Sequence, residues 1–140
     1  MARRQCDDRG AATAELVILM PILLSFLLFM ILAGRLTDAK SDVVGAAADA
    51  ARAASLQGSQ AAAEAQAQAA ATDTVSGERL NCQGGPDVTT TFIGGFARGS
   101  TVHVTVTCTV NTSDLTYIGL PVSVTLTEEA WEPIDTHRSL

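Results

Sequence analysis

Aromatic side chains are scarce in this chain: four Phe, one Tyr and one Trp make up 4% of its 140 residues. That scarcity excludes a core built on packed rings. The hydrophobic fraction of 47% is carried by one long apolar run and by alanine. Once a membrane-length segment is subtracted, one small domain with a thin core remains. Basic residues are outnumbered nine to fifteen, giving a formal charge of −6. With no basic patch outside the N-terminus, nucleic acid is not expected as a partner. Cysteine occurs three times and never as Cys-x-x-Cys or beside a His, which argues against a catalytic thiol. Gly-x-Ser-x-Gly, the P-loop and the dinucleotide fingerprint are missing as well. His103 and His137 match no metal-ligand spacing. The expectation is a non-enzyme with no cofactor and no metal.

What is present begins with an apolar run. From Leu16 to Ala33 there is no charged residue, and Ser25 is the only conventionally polar side chain. Such a run is long enough to cross about 30 Å of hydrocarbon at about 1.5 Å per residue. It is too long for the apolar region of an ordinary cleaved signal peptide. Arg3, Arg4 and Arg9 precede it and Arg35, Lys40 and Arg52 follow it, so charge bias alone leaves orientation open. Glu15 stands at its threshold, five positions after Gly10. A carboxylate near the hydrocarbon costs about 2.5–3.5 kcal/mol on insertion scales, which asks for a functional partner.

The sequence Arg9-Gly10-Ala11-Ala12-Thr13-Ala14-Glu15, followed by the apolar run with its early Pro21 and closed by Gly34-Arg35, resembles the processing and assembly region of type IV prepilins. Within that class it is most similar to the TadE-like minor pilins and pseudopilins of tight-adherence pili. The resemblance covers roughly residues 9 to 36. Ala14 and Leu16 flank the Glu where Val and Phe are usual in the family. The resemblance implies a leader ending at Gly10, cleavage by a prepilin peptidase between Gly10 and Ala11, and a Glu15 that pairs with the amine so created. It also implies a cytoplasmic N-terminus, an extracytoplasmic C-terminal domain and other pilin and pilus-assembly subunits as partners, alongside membrane lipid. Major pilins of this type are much shorter, so the long C-terminal part implies a minor role.

Residues 1–10 read as the leader, 11–35 as a transmembrane helix, 36–73 as an Ala-rich helical stalk and 74–140 as a small exported β-rich domain. Pro21 removes a backbone donor and is expected to kink the long helix. Beyond the run, Leu36, Val43, Val44, Ala47, Ala51 and Ala54 approximate a helical stripe. Gly58 is placed as a C-cap, and Ser59 as the N-cap of a second helix up to about Thr72. That helix either packs closely through its small side chains or stands as a solvated stalk.

From about Thr74 the pattern turns to period two. Val102, Val104, Val106, Cys108 and Val110 alternate with His103, Thr105, Thr107 and Thr109. Val122 to Thr127 gives a second strand, and Val88 to Ile93 a third. The expected fold class is α+β: a long N-terminal helix, a second Ala-rich helix and a three-stranded antiparallel meander whose Thr-rich face is wet.

If this domain lies outside the cytoplasmic membrane, Cys82 and Cys108 can pair there, leaving Cys6 in the leader. The alternative is two buried free thiols. Glu128, Glu129 and Glu132 read as a solvated acidic edge. Trp131 reads as a cover for the end of the core or as an exposed subunit contact. Asn111-Thr112-Ser113 fits a glycosylation sequon. The expected function is a cleaved minor pilin or pseudopilin. The alternative is an uncleaved single-pass membrane protein that presents a small adhesive or protein-binding domain.

Overall fold

The computed structural model describes residues 9–77, 80–111 and 123–136. Residues 1–8 of the expected leader 1–10, with Cys6, as well as Thr112 and Ser113 of the expected sequon, Pro121, Val122 and His137, lie outside the described residues. Five elements follow one another: α1 (Arg9–Ser55), α2 (Gln60–Gly77), β1 (Asp87–Ile93), β2 (Thr101–Asn111) and β3 (Ser123–Pro133). The fold is α+β, as the patterning predicts. The chain divides into two units, Met1–Arg35 and Leu36–Leu140.

In the second unit, α1 contributes a seam of small side chains. Ala39, Val43, Ala46, Ala47, Ala50, Ala51 and Ala54 are buried, spaced by three and four residues as one helix face requires. The expected stripe is corrected at two positions, because Leu36 and Val44 are exposed while Ala46 and Ala50 take their places. α2 presents Ala63, Ala67, Ala71 and Val75, each one turn after the last. These residues share one core cluster with the α1 seam and with the inner face of the sheet. The Thr74 hydroxyl donates to Asp49 Oδ2 at 2.9 Å, joining α2 to α1. Alanine allows helices to approach closely and carries no side-chain entropy to lose. The packed alternative for α2 is therefore the one realised. The helix also runs past Thr72 to Gly77, because Val75 continues the buried row.

The turn between the helices is closed by side chains. Ser59 caps α2: its Oγ accepts from the Ala62 amide at 3.3 Å, the contact expected of an N-cap. α1 ends without the left-handed glycine that a C-cap at Gly58 would need, since Gly58 is not among the glycines of positive φ. Instead the Ser55 hydroxyl donates to the Arg52 carbonyl at 2.9 Å, and Gln57 Nε2 to the Ala53 carbonyl at 3.2 Å. Both satisfy carbonyls that the helix end leaves over.

The sheet has the order β1-β2-β3, antiparallel throughout. Val102, Val104, Val106, Cys108 and Val110 of β2 all face inward and are buried. Burying each valine contributes about 1.5–3 kcal/mol. Gly94 and Gly95, both at positive φ, turn the chain from β1 toward β2. β3 extends well past Thr127, to Pro133, and Ile134 carries on its pairing: its amide donates to the Ser100 carbonyl at 2.8 Å. Ile134 is buried and is the largest of the fully buried side chains among the described residues, followed by valines and Cys108. Glu128 and Glu132 fall on the inward, half-buried side of β3. Glu128 lies 3.4 Å from Nζ of Lys40 of α1, whose side chain is largely exposed, so the pair is worth little in itself.

Cys82 and Cys108 form a disulfide, with Cα atoms 5.2 Å apart. The segment around Cys82 is bridged to Val110, and the Gln83 amide donates to the Thr109 carbonyl at 2.8 Å. The covalent link thus fastens the loop before β1 to the central strand, in the part of β2 beyond the reach of β1.

Candidate functional site

The residues singled out near the N-terminus all lie on α1. Gly10 and Ala11 stand in its first turn, so the bond between them has helical backbone geometry. Glu15 is one turn further on and exposed, and it makes no ion pair with any other described residue. Ala11 and Glu15 are four residues apart, the spacing that sets neighbours on one helix face.

After Glu15 the side chains from Leu16 to Leu32 stand outward. Leu16 is 64% exposed, Leu23 65% and Phe29 63%, so nothing in this unit covers them. An apolar run of this length with none of its side chains buried is long enough to cross a membrane once. Residues 16–33 would span about 27 Å at about 1.5 Å each, close to the hydrocarbon thickness.

Pro21 lies inside α1 without ending it. Having no amide hydrogen, it leaves the Val17 carbonyl without its usual helical donor. One turn on, the Ser25 hydroxyl donates to the Pro21 carbonyl at 2.7 Å. That bond hides the run's one hydroxyl from an apolar solvent, where an unpaired polar group is costly.

A second cluster, which sequence reasoning did not assemble, sits on the outward face of the sheet. The register sets Thr91 beside His103 and His103 beside Trp131. The His103 and Trp131 rings stack with centroids 4.8 Å apart and planes 11° from parallel. Thr91 Oγ1 lies 3.2 Å from His103 Nδ1. Nε2 of the same ring is buried and 3.3 Å from Glu129 Oε2, but the two are not aligned as a hydrogen bond. Trp131 remains 56% exposed, so it does not cover the core as one sequence reading had it. Its signal in the sequence was parity: Trp131 and Glu129 share the phase of Thr125 and Thr127, the wet side of β3.

Below this cluster the face is a threonine carpet. Thr107 pairs with Thr127 at 3.2 Å and Thr109 with Thr125 at 3.1 Å, hydroxyl to hydroxyl. Among the described residues no three His, Cys, Asp or Glu side chains are grouped to hold a metal ion.

Comparison with known proteins places one family on the chain. Residues 10–52 match the family described as TadE-like protein. The match begins at Gly10 and runs past the apolar segment into the alanine seam of α1, sixteen residues beyond the stretch that carried the resemblance. No curated protein and no solved structure gives a significant match to the chain.

Proposed function

We propose that this chain, TadE-like over its N-terminal part and so tied to pilus-associated proteins, is a minor pilin or pseudopilin of a tight-adherence pilus. A prepilin peptidase cuts it between Gly10 and Ala11 at the cytoplasmic face of the membrane, and the apolar part of α1 holds it in the bilayer. The C-terminal domain is exported. The observation that carries this reading is the family match starting at Gly10, with Glu15 five positions later at the head of an uncovered apolar helix.

The chemistry follows from the N-terminus that cleavage makes. A glycine before the scissile bond suits a narrow cleft and an extended backbone, so the first turn of α1 unwinds to be cut. The new amine on Ala11 is a cation at the membrane edge. Glu15 pairs with such an amine on a neighbouring subunit, which offsets the cost of a carboxylate near hydrocarbon and fixes axial register. Pro21 loosens the helix at the missing bond to Val17 and gives it a point at which to bend during packing.

Intact mass of the membrane-extracted protein, from cells with and without the prepilin peptidase, tests the reading. A chain starting at Ala11 only when the peptidase is present is the expected result, with Gly10→Leu accumulating as precursor. A full-length chain in both strains would overturn it and leave an uncleaved, membrane-anchored binding domain.

A further inference from the structure

The outward face of the sheet has a character that the processing of α1 does not explain. By register its side chains are Asp87, Thr89, Thr91 and Ile93 on β1, the threonines and His103 on β2, and Thr125, Thr127, Glu129 and Trp131 on β3. That set holds two carboxylates and no lysine or arginine. At one end Trp131 shows one ring face to His103 and the other to solvent.

We propose that this face docks an arginine side chain from a partner protein. The guanidinium lies on the open face of Trp131 and hydrogen-bonds to Glu129. The indole is set for this before binding, because His103 stacks behind it and Thr91 engages the His103 ring. An aromatic ring already held in place loses little freedom when a ligand arrives. Glu129 lies two residues from Trp131 on the same strand face, about 7 Å along it. Its Oε2 is near His103 Nε2, while Oε1 makes no hydrogen bond or ion pair with another described residue.

Charge selects the occupant. A π face beside a carboxylate attracts a cation, and the acidic balance of the whole chain adds to the field. Arginine fits better than lysine because its guanidinium is planar, weakly hydrated and able to stack and hydrogen-bond at once. Ile93, 58% exposed, and Pro133 flank Thr101 one register step away and offer apolar ground for the residues beside the arginine. The inference is independent of cleavage, since precursor and shortened chain carry the same sheet.

Trp131 is the chain's single tryptophan, so its fluorescence reports the site directly. The full chain, in micelles of an uncharged polyoxyethylene detergent, is titrated with capped Gly-Arg-Gly, with its lysine and citrulline counterparts, and with cellotetraose. A saturable change with the arginine peptide is expected, with Kd on the order of 1 mM for one stacked, ion-paired side chain. Glu129→Gln weakens it about tenfold, and the citrulline peptide gives no saturable change. Glu132→Gln, on the other side of the strand, leaves it unchanged. Equal responses to arginine and citrulline, an unaffected Glu129→Gln variant, or no saturation with any peptide would overturn the proposal. Saturation with cellotetraose alone would replace it with a neutral sugar platform.

Discussion

Removing the link between Cys82 and Cys108 is expected to cost a large share of the stability of the unit Leu36–Leu140. The two cysteines are 26 positions apart, and closing a loop of that length stabilises by about 3.5 kcal/mol in the chain-entropy model. Among the described residues the fully buried set contains Ile134, valines, alanines and Cys108 but no leucine or aromatic ring, so few other terms of that size are available. For a domain of about 100 residues, each kcal/mol moves the midpoint by about 4 °C, giving a fall of about 15 °C. Thermal unfolding of the full chain in detergent, followed by Trp131 fluorescence, measures it. Two perturbations separate the crosslink from the packing around it. A phosphine reductant breaks the bond and keeps both sulfur atoms, whereas Cys82→Ala with Cys108→Ala also removes volume from a buried position. Both should fall by similar amounts, the double variant slightly further. A shift of less than about 4 °C under both would refute the reasoning, because the unfolded chain would then gain little freedom when the loop opens.

Three further outcomes are expected. Ser59→Ala removes the cap from α2 and lowers stability by about 1 kcal/mol, read as a drop in the same thermal midpoint. Ala67→Leu forces a large side chain into the seam between the helices and costs about 1–3 kcal/mol; an unchanged midpoint would mean that α2 can move away. Glu15→Val should leave cleavage at Gly10 largely intact while reducing incorporation into pili, measured by comparing sheared surface fractions with membrane fractions. Normal incorporation would remove the pairing with a neighbour's amine.

The parts of the fold that could be read from sequence were those where one residue type repeats at the element's own period. β2 is the clearest case, since its valines and threonines alternate without interruption. β3 was legible only as far as Thr127, because Glu128 occupies an inward position that the pattern reserves for apolar residues. The structure supplies what the pattern lacked, Lys40 of α1 beside that carboxylate. Ile134 was invisible for the same reason: it follows an acidic stretch, and only the pairing with Ser100 carries it into the core. The C-cap at Gly58 failed because composition cannot distinguish a left-handed glycine from side chains that reach back to helix carbonyls. At the N-terminus the sequence was more informative than local geometry. Glu15 is recognisable by its place relative to Gly10 and the apolar run, whereas in the folded chain it is one exposed carboxylate on a helix. His103, Trp131 and Glu129 show the converse, being distant along the chain and joined only by register.

The position of the disulfide also decides how the chain yields to tension. Pulled from its two ends, a polypeptide lengthens by about 3.5 Å for each residue extracted. The residues between Cys82 and Cys108 include all of β1 and the Gly94-Gly95 turn, and they are short-circuited by the bond between the sulfurs. Roughly 90 Å of contour is therefore withheld from extension until the bond is reduced. Force that peels β3 from β2 meets a strand still anchored to the loop before β1, so a stretched chain keeps a hairpin on which β3 can re-form once the load is released.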